Sequence, residues 1–202
     1  MLRKELGKGT LSRIYLITSN RHKVEEANIA LKPFGIEVKQ LHIKRLEIQS
    51  DDLVEIAIFS LREVINLVNE RPLVVEDAGL FIPALKGFPG PYSSFVYKTI
   101  GCQGILKLME GVEDRRAYFK SVVVYYDDDV GMKVFEGTVW GKIATEVRGT
   151  QGFGFDPIFI PEGSTRTFAE MGPEEKTKYS HRGRAFRALG YWIRNILEQQ
   201  SK

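Results

Sequence analysis

The feature that most constrains this chain is an apolar run that ends on two acids: Leu73, Val74 and Val75, then Glu76 and Asp77, then Ala78, Gly79 and Leu80. Consecutive β-prone apolar residues form a strand buried on both faces, which calls for other elements layered above and below it. Two adjacent carboxylates leaving such a strand need a different environment. Successive strand residues point to opposite faces, so Glu76 and Asp77 are expected to do different jobs. The small residues that follow keep the approach open. Carboxylates at a strand end can hold a hard cation such as Mg2+, which takes oxygen ligands, keeps several waters and needs one or two protein carboxylates beside substrate phosphates. Taken alone, the pair also suits a solvated turn, so its meaning depends on the rest of the chain.

The flanking segments alternate in period. Residues 13–18 are a short β-rich run, and polar 19–23 leads into 24–32, whose composition favours helix until Pro33 and Gly35 end it. Residues 36–43 alternate as a half-buried strand does. Ser50 is the expected N-cap of a long helix with Leu53, Ile56, Ala57, Leu61, Val64 and Val68 along one face. Phe88, Pro89, Gly90 and Pro91 force an irregular loop, 99–109 looks helical, and 118–126 is a long strand. A turn through Asp127, Asp128, Asp129, Val130 and Gly131 should return it along 133–136, with 138–147 a third long strand. Residues 149–156 read as a glycine-rich loop, 158–160 as a short strand and 181–199 as a closing amphipathic helix. Early interleaving of helix and strand with a central cluster of strands predicts a mixed α/β fold: an elongated central sheet flanked by helices, with the substrate cleft between two lobes.

With 202 residues, 43% of them hydrophobic, 13–202 is expected to fold as one unit behind a mobile leader, 1–12. The Gly7, Lys8, Gly9, Thr10 sequence of that leader lacks the preceding strand and upstream glycine of a phosphate loop. The balance of 29 basic against 26 acidic residues is too even to require nucleic acid, and no apolar stretch is long enough to span a bilayer. One cysteine, Cys102, excludes an internal disulfide framework and a cysteine-rich zinc site, which fits a reducing cytoplasm.

Three further segments carry chemistry. Thr18, Ser19, Asn20, Arg21, His22 and Lys23 place hydroxyls, an amide and cations at a strand-to-helix junction, where backbone N–H groups and the helix dipole favour anions. The same residues also suit helix capping by Ser19 or Asn20. Lys176, Ser180, His181 and Arg182 cluster where the last helix begins; lysine offers a compact charge and arginine a fork for a phosphate or a base edge. A solvated helix start would use them equally well. Gly152, Phe153, Gly154, Phe155, Asp156 and Pro157 put two aromatics in a glycine-rich turn, where Phe153 is expected to stack on a purine and Phe155 to pack.

In order along the chain, T-S-N-x-x-K, E-D-A-G-L, G-F-P-G-P-Y, F-G-F-D-P and E-E-K…S-H-R resemble the inosine triphosphate pyrophosphatase family, over roughly residues 13–197. The resemblance implies Mg2+-dependent hydrolysis of purine nucleoside triphosphates carrying a wrong base, such as ITP, dITP and XTP, to the monophosphate and pyrophosphate. It assigns the triphosphate to Thr18, Ser19, Asn20 and Lys23, and makes Asp77 the metal ligand and proton acceptor, with Glu76 beside it. Glu47 matches a second acidic metal ligand through looser flanking sequence. Gly154 and Asp156 join Phe153 and Phe155 as substrate contacts, as do Lys176, His181 and Arg182. Ala78 stands where similar proteins often have serine, so only a backbone contact is expected there. The resemblance further implies a homodimer, with the segment 88–97 and the central strands as the expected interface.

The implied chemistry is attack of a water on the α-phosphorus, with Asp77 orienting or deprotonating it and Lys23 and Lys176 offsetting charge on the phosphates. Hypoxanthine and xanthine present a 6-oxo acceptor where adenine has an amino donor, so donors from Arg182, His181 or loop N–H groups could separate them. Rejection of guanine rests on the resemblance alone. Two competing functions remain: a pyrophosphatase of modified pyrimidine or other nucleotides, and a non-catalytic nucleotide- or RNA-binding module. Bare carboxylates repel phosphate, which makes Glu76 and Asp77 awkward in the second.

Overall fold

The acid-terminated run lies at the centre of the sheet. In the computed structural model, which describes residues 13–200, β3 (Leu73–Phe81) lies between β1 (Arg13–Ile17) and β5 (Arg116–Asp127). The seven strands among the described residues are ordered β2 (Glu37–Leu41), β1, β3, β5, β6 (Gly131–Ile143) and β7 (Phe159–Pro161), with the two-residue β4 (Pro89–Gly90) paired to the far part of β3. β1 runs parallel to β2 and β3, and the remaining pairings are antiparallel. The mixed α/β class is the expected one; the leader 1–12 and its glycine-containing loop lie outside the described residues.

Unlike the expectation, β3 does not stop at Val75. It continues through both acids to Phe81, because β5 pairs with it along its whole length, Leu73 facing Tyr126 and Phe81 facing Tyr118. What does end is its other neighbour: β1 pairs with β3 only at Leu73 and Val74, and β4 only at Leu80 and Phe81. Among the described residues, positions 75–79 therefore have a strand partner on the β5 side alone. The acids sit in a gap in the ladder rather than at a strand end.

Among the described residues six α-helices cover the sheet: α1 (Arg21–Leu31), α2 (Leu53–Val64), α3 (Ser93–Thr99), α4 (Gly101–Leu108), α5 (Pro173–Tyr179) and α6 (His181–Gln200). α1 starts three residues before the expected position because the Asn20 carboxamide oxygen accepts from the His22 N–H and caps the first turn. α2 is capped by Asp52, which accepts from Val54 N–H, and not by Ser50, whose hydroxyl bonds Glu55 and accepts from Asp52 N–H. Its α-helical part ends at Val64, and a 3-10 turn (Ile65–Leu67) leaves Val68 outside. The segment expected as helix over 99–109 is α4, while α3 and α5 were not foreseen.

The two segments 133–136 and 138–147 are one strand, β6, which ends at Ile143. Gly137 joins them for a packing reason. A Cβ there would overlap the His181 carbonyl oxygen, so the absence of a side chain lets the start of α6 rest directly on β6.

On the α6 face of the sheet, two apolar cores are separated by a polar seam. Ile14, Leu16, Val74, Val123 and Tyr125 pack with α1 and α6 through Ala27, Leu31, Phe186 and Leu189. Further along the same strands, Leu80, Phe119, Val139 and Ile143 pack with Phe155, Phe159 and Phe168. Glu76, Ser121 and Gly137 lie between the two. The opposite face carries a third core, Val75, Val122 and Val124 against Leu53, Ala57 and Leu61 of α2. Each fully buried large aliphatic or aromatic side chain in these cores stabilises the fold by about 1.5–3 kcal/mol.

Candidate active site

The seam is filled by six alternating charges. Lys23 Nζ lies 2.8 Å from Glu76 Oε2 and donates to the Glu76 carbonyl at 3.2 Å. Arg182 Nε donates to Glu76 Oε1 at 3.0 Å, where the Ser121 hydroxyl also donates at 2.6 Å. Arg182 Nη1 reaches Glu26 Oε2 at 2.8 Å; Lys176 Nζ then bridges Glu26 Oε1 at 2.7 Å and Asp156 Oδ2 at 2.6 Å. Every member except Lys23 is buried, Glu76 with 1% and Arg182 with 2% of its surface exposed. Charges this deep persist because each has an opposite partner; removing one typically costs about 3–5 kcal/mol.

The titration of these groups follows from that balance. Burial would raise the Glu26 carboxyl, but Arg182 and Lys176 outweigh it and hold it at about 2. Glu76 is likewise driven down by Arg182 and Lys23 against its burial. Lys176 is raised despite desolvation, by Asp156 and Glu26. Asp156 is raised, since its burial outweighs the single lysine beside it. His181, buried with its ring stacked on Phe119 at 4.6 Å and its Nδ1 without a hydrogen-bond partner, is held well below the usual imidazole value by desolvation and then by Arg182.

Asp77 belongs to the other face. Glu76 points into the seam, whereas Asp77 lines a cleft of about 670 Å³ together with Glu47, Gln49, Phe88, Tyr92 and Phe95. Its Oδ1 accepts from Ala78 N–H at 2.9 Å. Burial pushes its carboxyl above the ordinary value; Lys23 opposes this, and the negative Glu76 and Glu47 add to it. Glu47 is exposed and pairs with Arg45 at 3.2 Å. Asp77 and Glu47, distant in sequence, thus share one cleft, and each carboxylate disfavours the other's charge. That donor set suits a hard divalent cation, which would relieve the repulsion and complete its shell with water and phosphate oxygens. Among the described residues no group of three or more His, Cys, Asp or Glu comes together.

The turn from Thr18 to Lys23 adjoins the seam through Lys23. Thr18 is buried and its hydroxyl accepts from Asn20 N–H at 3.1 Å; Asn20 caps α1; Ser19 is exposed. Thr18 and Asn20 therefore shape the turn, and Lys23, in the first turn of α1, brings its ammonium to the gap in β3. Ala78 shares the Glu76 face and carries no polar group. In the glycine-rich loop, Asp156 Oδ2 accepts from Phe153 N–H at 2.8 Å, an approach that a side chain at Gly152 would block. Gly154, in the left-handed region at φ 60°, completes the turn. Phe155 is buried in the second core, as expected, while Phe153 is half-buried, with Lys176 Nζ 4.7 Å and Arg182 5.2 Å from its ring centroid.

Of the residues singled out from the sequence, Lys23, Glu76, Phe153, Asp156, Lys176, His181 and Arg182 meet around one seam, and Asp77 and Glu47 share one cleft. Lys176, His181 and Arg182 do so as buried groups, the two cations already matched by carboxylates, rather than as a solvated helix start. Glu26 and Ser121 were not foreseen. The signal for Glu26 was its place on the apolar stripe of α1 with Ala27, Ala30 and Leu31, since an acid on such a stripe implies a buried cation. Ser121 gave none, because a lone hydroxyl within a strand is ordinary.

Comparison with known proteins bears on this arrangement. The sequence model of the Ham1 family matches residues 14–192. A Thermococcus kodakarensis protein named dITP/XTP pyrophosphatase is 53% identical over 186 residues, 92% of this chain and 100% of its own length. A Pyrococcus horikoshii protein of the same name is 55% identical over 182 residues, 90% of this chain and 97% of its own. The structure of the Staphylococcus aureus Ham1 protein superposes with a TM-score of 0.77 at 28% identity, covering 91% of this chain and 99% of that one. The family model and these relatives show it: the chain belongs to the Ham1 family.

Proposed function

We propose that this protein hydrolyses non-canonical purine nucleoside triphosphates, dITP, XTP and ITP, to the monophosphate and pyrophosphate. The observation that carries the proposal is the division of labour on β3: Glu76 turns inward to anchor a charge network, while its neighbour Asp77 faces a cleft with Glu47. Relatives at 53% and 55% identity are named for dITP and XTP, which supports the substrate class.

The triphosphate lies across the gap in β3, with Lys23 and the turn of Thr18, Ser19 and Asn20 against its phosphates. Mg2+, held by Asp77 and Glu47, would neutralise phosphate charge and acidify a bound water. The Asp77 carboxylate accepts the proton of a water whose oxygen forms the new bond to the α-phosphorus; the bond from that phosphorus to the bridging oxygen breaks and pyrophosphate leaves. Glu76 acts as a positioning residue that holds Lys23 and Arg182. Lys176, matched by Glu26 and Asp156, serves the base rather than the phosphates. Phe153 offers the stacking face, and the buried Lys176, Arg182 and His181 set what can hydrogen-bond to the base edge. The protein acts as a homodimer on the cytoplasmic nucleotide pool, with exposed Phe88, Tyr92, Phe95 and Ile100 at the rim of the cleft as the pairing surface; its mass in solution tests the stoichiometry.

Asp77→Asn tests the catalytic assignment: pyrophosphate release from XTP should fall by about 10²-fold or more. Full activity in a folded Asp77→Asn protein would refute it.

A further inference from the structure

The Phe153 ring is not free. The His22 imidazole is stacked on it, with centroids 5.4 Å apart and planes 15° from parallel. Rings at that separation are already in stacking contact, so no third ring fits between them. The other groups over Phe153, Lys176 and Arg182, are fixed by buried ion pairs and cannot move without breaking them. His22 can. It is exposed, lies in the first turn of α1, and its Nδ1 is 4.0 Å from Glu25 Oε2, beyond hydrogen-bond distance. Its imidazole also walls a small enclosed space of about 150 Å³ shared with Glu26, Gln151, Gly152, Met171 and Lys176, next to the network assigned to the base.

We propose that His22 stands in the purine's place on Phe153 in the nucleotide-free protein, and that its side chain swings out when substrate binds. The proposal rests on the reading of Phe153 as the purine platform. His22 is then an affinity-setting residue. Each nucleotide must displace the same His–Phe contact, so the contact weakens binding of all purine nucleotides by one factor and leaves the ratio between bases, set by hydrogen bonds at the base edge, unchanged. An aromatic pair of this kind corresponds to a factor between about twofold and about tenfold.

The test is a four-member cycle of wild type, His22→Ala, Phe153→Ala and the double variant, read by KM and kcat for XTP and GTP and by calorimetric titration with inosine 5′-monophosphate. His22→Ala should lower KM and tighten monophosphate binding by about twofold to tenfold, by the same factor for both triphosphates, with the change on KM rather than kcat. His22→Trp, a larger stacking partner, should raise KM. Phe153→Ala should raise KM, and in that background His22→Ala should have no further effect. If Phe153→Ala raises KM while His22→Ala leaves it unchanged or raises it, His22 is no stand-in and the platform survives. If Phe153→Ala leaves KM unchanged, the platform reading fails and the stand-in with it. A purely structural role for His22 would move the melting temperature without tightening binding.

Discussion

Glu76 and Asp77 are one backbone step apart and sit in opposite electrostatic surroundings. The alternation of a strand was enough to foresee that they would part; what each would meet was not, because Arg182 and Ser121 arrive from segments 106 and 45 residues away. The same contrast decides what substitutions do. Ionised Asp77 is held against desolvation and two like charges, so its folded-state carboxyl is raised and its charge disfavours folding at neutral pH. Asp77→Asn should therefore keep or raise the melting temperature while activity is lost, which separates a functional carboxylate from a structural one in a single thermal melt. His181 gives the opposite kind of test. Its imidazole is held well below 6.5 in the fold, so above that pH both states are neutral; as pH falls below 6.5 the unfolded chain takes up a proton that the folded one refuses. Stability contributed by neutral burial is thus intact above pH 6.5 and declines below it by up to about 1.4 kcal/mol per pH unit. His181→Phe keeps the stack on Phe119 and removes the proton site, so its denaturant midpoint between pH 7.5 and 5.5 should fall less than that of the wild type.

At the scale of elements, periodic segments were legible and short or cooperative ones were not. β5, the amphipathic α2 and the closing α6 follow from alternation or from a 3.6-residue apolar repeat. α5 escaped because its seven residues include no apolar stripe; it is started by Pro173 and held by packing of its buried Lys176 and Thr177. β3 was expected to stop at its acids because charge in a central strand is costly, and it continues because β5 pairs with it throughout and the seam satisfies Glu76. β6 was split at Gly137 for a comparable reason: glycine in a strand reads as a break, whereas here it admits a helix. Gly137→Ala should lift the start of α6 from the sheet, costing about 1–3 kcal/mol in urea unfolding and lowering kcat/KM as His181 and Arg182 move with it. Wild-type stability and activity in the Gly137→Ala protein would show that α6 does not depend on that contact.

For the whole molecule, the sheet joins two cores through a seam of buried charge, and the groups proposed to bind the nucleotide hang from that seam. The fold class and the family were legible because motif order over nearly the full chain is far more specific than any motif in it. The network was not, since pairing among Lys23, Glu76, Arg182, Glu26, Lys176 and Asp156 depends on tertiary approach over as many as 156 residues. The central claim is that this seam and cleft serve hydrolysis of wrong-base purine triphosphates between the α- and β-phosphates. The most direct measurement is a side-by-side assay of XTP, dITP, ITP, GTP, ATP and dTTP with Mg2+, with pyrophosphate and orthophosphate quantified separately. Pyrophosphate and monophosphate in equal amounts, with kcat/KM for XTP and dITP well above that for GTP and ATP, is the expected result. Orthophosphate as the primary product, or equal turnover of all six nucleotides, would contradict it.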